Sequence, residues 1–375
     1  MMTIRQRALA VLNHRQPDVV PWLGDLAYWV NWLNRADLMP DKYKGDGLYR
    51  LHRDLGVGFY LQGYFPFRAV YDGVEISEEE DGDRRVTRVR TPYGDIQETH
   101  IYLPESYTSA RTEHFIKSWR DLAPLRYLYD HTFYEPNYDL AARRYDLVGD
   151  HGLVLCYLPK SPFMELVALK AGIAAVTYAL TDAPDEFAET LAVMAAKHGE
   201  AAQLALDSPA ECLMIPENLS SESVGKRMYH KYVRPYEAHW IERIRAAGKY
   251  SYIHIDGTLR GLMREVSQAG FTVLEAVTPE PSGDIPVEEL WKWAEPETII
   301  WGGLPGVMFS DLVSDAEFDA FVIRVLGVFK TAPRYVLGVA DQVPPYARWA
   351  RIARVAELVA QHGHYAAAAA VETAA

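Results

Sequence analysis

Apolar positions along this chain follow two rhythms: short, almost unbroken runs, and longer stretches with the spacing of an amphipathic helix. Runs of the first kind predict strands at 19–22, 58–62, 153–158, 212–216, 250–255, 272–276, 298–302 and 335–339. Helices are predicted between them. Residues 185–206 place Phe187, Leu191 and Met194 on one face, behind the helix-start signal Thr181-Asp182-Ala183-Pro184. Residues 223–247 read as helix but hold Pro235, which should kink or split it. Residues 346–362 carry Ile352, Val355, Ala356 and Val359, with Gly363 at the stop. Strand and helix in alternation imply a parallel sheet, and eight such units close into a (β/α)8 TIM barrel.

A barrel of this kind needs roughly 250 residues, and the chain has 375. Its length permits two domains, and equally a single decorated barrel. The excess sits early. Residues 84–101 alternate apolar and polar about Pro92-Tyr93-Gly94-Asp95, a β-hairpin insertion. The run Glu78-Glu79-Glu80-Asp81 reads as a solvated loop leading into it, and 104–150 has weak periodicity. The expectation is one barrel domain over 1–365 with an N-terminal extension. An excursion at 63–150 would cover its mouth, and the Ala-rich residues 366–375 would form a flexible tail.

Composition narrows the function. A net charge of −13 argues against nucleic acid and against an anionic membrane surface. Two cysteines, Cys156 and Cys212, cannot build a disulfide framework and point to a reducing compartment. No apolar run reaches the length of a membrane span, so the expected setting is the cytoplasm. A homodimer is compatible with the sequence.

In barrels of this type, chemistry gathers where the strands end. The fifth predicted strand ends in His254-Ile255-Asp256-Gly257, and His254 and Asp256, two apart, share a face. The fourth ends at Glu217, the sixth contains Glu275, and the eighth runs into Asp341. Each has an ordinary alternative: a helix cap for Glu217, an ion pair with an arginine for Glu275, an Asx turn for Asp341. Together they place four carboxylates and one imidazole on one rim, a repulsion that a divalent cation resolves. Glu217, His254 and Asp341 are the candidate metal ligands, with Asp256 and Glu275 as catalytic acid/base groups or further ligands. Histidines 52, 100, 114 and 151 read as surface residues, and Gly302-Gly303 is a weak match to a phosphate loop.

These segments carry a resemblance. Tyr232-Val233-Arg234-Pro235-Tyr236, His254-Ile255-Asp256-Gly257, Trp301-Gly302-Gly303-Leu304-Pro305 and Gly338-Val339-Ala340-Asp341-Gln342 look like the uroporphyrinogen decarboxylase superfamily, which includes corrinoid-dependent methyltransferases. The stretch 4–22 fits as well. The resemblance implies the same barrel. True porphyrinogen decarboxylases grip substrate carboxylates with an arginine-rich segment, where this chain has Leu23-Gly24-Asp25-Leu26-Ala27-Tyr28-Trp29. The methyltransferase branch is therefore the better match. That branch binds zinc through a His-x-Cys motif and a distant cysteine. Here Asp256 stands at the first cysteine position and Asp341 near the second, a harder set that still suits Zn²⁺ or another divalent metal. It suits polarising oxygen rather than a thiol. The resemblance thus implies methyl transfer from a small O-methyl donor, such as a methoxylated aromatic. The acceptor would be a corrinoid on a separate partner protein, since no cobalamin-binding motif is present. A decarboxylase acting on a non-porphyrin acid is the alternative.

Overall fold

The computed structural model describes residues 1–60 and 64–365, so the tail and the end of the second predicted strand lie outside the described residues. Six strands form one parallel sheet: Leu155–Tyr157, Cys212–Leu219, Tyr250–Ile255, Val273–Val277, Ile299–Pro305 and Tyr335–Ala340, each paired with the next. The first two predicted strands complete the circuit through single parallel bridges. Trp22 pairs with Leu337, Leu23 with Gly58, and Phe59 with Gly152. Backbone hydrogen bonds follow the same path, from Leu23 N–H to Leu337 O at 3.0 Å and from Leu153 N–H to Phe59 O at 2.9 Å. The cylinder is closed, with eight strand positions in chain order.

The pleat sorts the side chains of each strand into two sets. Leu23, Tyr60, Met214, Tyr252, Val273 and Trp301 pack together inside the barrel. Their chain neighbours Leu213, Ile253, Leu274 and Ile300 pack on the outer side with the helices. Gly338 is where a side chain is forbidden, because a Cβ there would come within 2.7 Å of the Trp301 indole. The opening helix, Ile4–Leu12, is started by a capping box between Thr3 and Gln6. Its Ala8, Val11 and Leu12 join the interior cluster beside the strand starts. That plug leaves the carboxyl end of the cylinder as the open one.

Outside the barrel, the helix at Pro184–Asp207 matches its expected span, and the last helix, Trp349–His362, starts slightly late. The Pro235 region is split, as its missing N–H requires: a π-helical turn, Tyr229–Val233, separates a short helix from Arg234–Ala246. The hairpin forms from Arg84–Thr91 and Gly94–Leu103, inside a four-stranded antiparallel sheet. The acidic run 78–81 is a correction. It belongs to the strand Glu75–Asp81, because its partner strand is basic: Arg90 pairs with Glu75 at 2.7 Å and Arg88 with Glu79 at 3.5 Å. This sheet touches segments that leave the carboxyl ends of several barrel strands. Asn31 donates to Tyr107 O at 2.9 Å, Arg111 to Ala168 O at 3.4 Å, and the Tyr107 and Tyr346 rings lie 6.0 Å apart. Among the described residues, no helix is long and apolar enough to cross a membrane.

Candidate metal centre

His254 and Glu275 continue the inward-facing sets begun by Tyr252 and Val273, so the pleat delivers both to the top of the barrel interior. They are direct cross-strand partners, and His254 Nδ1 lies 2.6 Å from a Glu275 carboxylate oxygen. The other Glu275 oxygen accepts the Tyr60 hydroxyl at 2.7 Å. Glu275 is fully buried, with both oxygens engaged. The far nitrogen of the ring, Nε2, faces Asp256 at 3.6 Å and Asp341 at 3.9 Å. One atom each from His254, Asp256 and Asp341 lies within 4.8 Å of the others, close enough to share a single cation. One imidazole nitrogen and two carboxylates are an ordinary donor set for Zn²⁺ and other borderline divalent ions.

The backbone is bent to make this arrangement. Asn218, Ala276 and Asp341 all take positive φ, at 56°, 64° and 71°, and each sits where a barrel strand ends. Left-handed conformations outside glycine are uncommon, and these three re-aim the chain at one mouth. At Asp341 the turn breaks the alternation of the eighth strand. At Asn218 it lets the side-chain amide donate to Asp256 at 2.8 Å. Lys160, from the end of the third strand, donates in turn to the Asn218 amide oxygen.

Charge at the site follows from burial and neighbours. Burial pulls the His254 imidazolium down, but the Glu275 charge and hydrogen bonds to Asp256 and Glu275 outweigh it and hold it well above the usual histidine range. Asp256 loses water but is held down at about 2 by His254 and Asn218. Asp341 is pushed up to about 6, by lost solvation and then by the charges of Asp256 and Glu275, against the pull of His254.

Of the five residues read from the sequence, the structure brings together His254, Asp256, Glu275 and Asp341. Glu217 stands apart. Cys212 and Met214 point inward, so three residues beyond Met214 the pleat turns Glu217 to the helix side. There it accepts the Ser161 N–H at 2.8 Å, while its second oxygen is buried without a partner. Burial pushes its carboxyl up to about 7. His52 is also corrected: it is buried, with Nδ1 3.2 Å from Val57 O, and loss of solvent holds it at about 3 and therefore neutral. The Gly302-Gly303 pair is structural, since the Tyr335 hydroxyl fills the space a Gly303 side chain would need and donates to Gly302 O.

Asp25 was missed, although it follows the first strand and the rule that selected His254 applies to it. It is buried, accepting Ala27 N–H at 2.7 Å and the Gln342 amide at 2.9 Å. Burial, then the Glu275 and Asp341 charges, push it up to about 7. A raised carboxyl stabilises the fold fully only below its unfolded pKa near 4, and that contribution is lost as pH rises through 7. Asp25→Asn is therefore expected to stabilise the metal-free protein, by more at pH 8 than at pH 5. The ceiling is about 4 kcal/mol. Urea melts at the two pH values check it, and an equal gain at both would remove the ionisation argument.

A closed (β/α)8 barrel with an imidazole and carboxylates at its carboxyl-end mouth is the architecture of a barrel enzyme. The uroporphyrinogen decarboxylase (URO-D) family model matches residues 160–362, more than half of the chain, and the chain belongs to that family. It is also similar in fold to a solved methyltransferase from Methanosarcina mazei, with a TM-score of 0.62 and 12% identity over 96% of this chain and 99% of that one. A search of curated proteins finds no match.

Proposed function

We propose that this protein is a metal-dependent methyltransferase that takes a methyl group from a small O-methyl donor, methoxylated aromatics included, for a corrinoid carried by a separate protein. The observation carrying this reading is the His254 ring, with Nδ1 tied to Glu275 and Nε2 aimed between Asp256 and Asp341. We assign His254, Asp256 and Asp341 as ligands. Glu275 is the positioning residue that fixes the His254 tautomer, an arrangement usual for metal-binding histidines. Glu217 supports the end of the fourth strand. The excursion forms the wall of the mouth, within one barrel domain that runs to residue 365.

When bound, a divalent ion supplies Lewis acidity to the leaving oxygen, and the corrinoid supplies the electron pair that takes the methyl group. The electron pair of the broken C–O bond stays on that oxygen, whose conjugate acid, if a phenol, has a pKa near about 10. With Asp256 and Asp341 engaged as ligands, solvent at the open mouth supplies the proton that neutralises the departing oxygen. Tyr60 and Glu275 keep the imidazole from rotating.

The test is metal analysis of the purified protein, followed by methylation of free Co(I) cobalamin from a panel of O-methyl donors. Stoichiometric metal and chelator-sensitive transfer are expected. Chelator-insensitive release of CO2 from a carboxylic acid would replace this reading with the decarboxylase. Metal affinity should also depend on pH. Metal must displace the proton that His254 holds, and below about pH 6 a second from Asp341. Apparent affinity should rise about tenfold per pH unit at neutrality and more steeply below pH 6. A competition titration against a chromophoric chelator reads the slope, and a flat profile would exclude His254 as a ligand.

A further inference from the structure

The tyrosines on the strand segments of the barrel are Tyr60, Tyr157, Tyr250, Tyr252 and Tyr335. All but one have their hydroxyls committed to the protein. Tyr60 donates to Glu275 at 2.7 Å and Tyr335 to Gly302 O at 2.7 Å. Tyr250 accepts the Asn13 amide at 2.8 Å, and Tyr252 accepts the Cys212 thiol at 3.6 Å. Tyr157, which ends the third strand, is the exception: among the described residues its hydroxyl has no hydrogen-bond partner.

Its place in the barrel directs that hydroxyl to the mouth. Tyr157 is the register partner of Met214, and Met214 of Tyr252, on the inward face of three adjacent strands. His254 continues the same face two residues beyond Tyr252. The Tyr157 ring packs on the interior cluster and edge-on to Phe65, with centroids 5.3 Å apart. Unlike Tyr60 and Tyr252, Tyr157 is only partly buried, and its oxygen is not among the sealed, unpartnered ones. Burial, then the charges of Asp25, Glu275 and Asp341, hold its phenol well above the usual tyrosine range, so it stays protonated. It is a donor with no acceptor of its own, beside the metal centre.

We propose that Tyr157 is a catalytic residue of this site, donating a hydrogen bond to the oxygen that loses the methyl group and so selecting oxygen over sulfur at that position. The reaction named here rests on the proposed function; the hydrogen bond does not. An oxygen has acceptor capacity to spare, whereas sulfur accepts weakly. As the C–O bond breaks, its electron pair stays on the oxygen and the hydrogen bond becomes charge-assisted, roughly twice as strong as before. It therefore favours the transition state over the bound donor. Tyr157 keeps its proton throughout, and solvent neutralises the product.

The experiment compares Tyr157→Phe with the wild type as full-length, metal-loaded proteins. Phenylalanine keeps the ring and removes an oxygen that no protein group uses, so melting temperature and metal content should not change. Calorimetric titration with phenol and thiophenol reads the hydroxyl directly. Phenol affinity should fall about tenfold or more and thiophenol affinity by no more than about twofold. Methyl transfer from an O-methyl donor should also fall about tenfold or more. Equal phenol affinity in the two proteins, no phenol binding by the wild type, or equal losses for phenol and thiophenol would overturn the assignment. A loss confined to phenol, in a wild-type protein that transfers no methyl group, would instead overturn the reaction and leave Tyr157 as the donor to a bound oxygen.

Discussion

His254→Ala should empty the metal centre and lower methyl transfer by about a thousandfold or more. The size follows from the loss of several kcal/mol of Lewis-acid stabilisation at the leaving oxygen. Alanine removes the only nitrogen donor in the group formed with Asp256 and Asp341. It also leaves one Glu275 oxygen buried without its partner, which costs about 1–3 kcal/mol unless the carboxyl takes up a proton. A fall in thermal midpoint is therefore expected and does not by itself argue for the metal. Asp341→Asn separates the two effects. Asp341 is exposed, and asparagine accepts its left-handed backbone. This variant should keep its stability, or gain some above pH 6, while binding metal more weakly. Metal content and melting temperature measured on both variants decide the matter. A folded His254→Ala protein with full metal occupancy would end the assignment.

The barrel was legible because strands covered on both faces read as continuous apolar runs, with no polar alternation to confuse them with helix. Even strands one and two, present as bridges at Trp22, Leu23 and Phe59, were visible this way. The excursion was harder. Its strand at Glu75–Asp81 is acidic and held by arginines across the sheet, a pairing that no single segment reveals. Site residues divided on the same principle. His254, Asp256 and Glu275 follow from the pleat, and Glu217 fails by it, since counting on from Cys212 and Met214 turns it outward. That parity was readable, as was Asp25 behind the first strand. The inward turn of Asp341 was not, because it depends on a left-handed residue that the local sequence does not demand. Lys160 gave no signal of its own, since its part at the mouth exists only through Asn218, a partner far away in the chain.

Glu275→Gln should weaken metal binding by about 10–100-fold while keeping the fold, the usual effect of altering the group behind a ligating histidine. Glutamine has the same shape, and its amide oxygen can still accept the Nδ1 proton while its NH2 meets the Tyr60 oxygen. What disappears is the negative charge that raises the basicity of Nε2. The metal-free protein should respond in the opposite sense. Glu275 is the strongest electrostatic support for the His254 proton and a source of upward pressure on Asp25 and Asp341. Without it, His254 should titrate at lower pH and the two aspartates should shed their protons earlier. Proton release on metal binding at pH 7 should then fall, a change measurable by calorimetry in buffers of different ionisation enthalpy. Tyr60→Phe provides the contrast, because it leaves the charge in place and removes only one hydrogen bond to it. Its expected cost is about 1–3 kcal/mol of stability, with metal affinity nearly intact. If the two variants lose metal affinity equally, Glu275 acts by geometry alone, and its charge has no part in holding the ion.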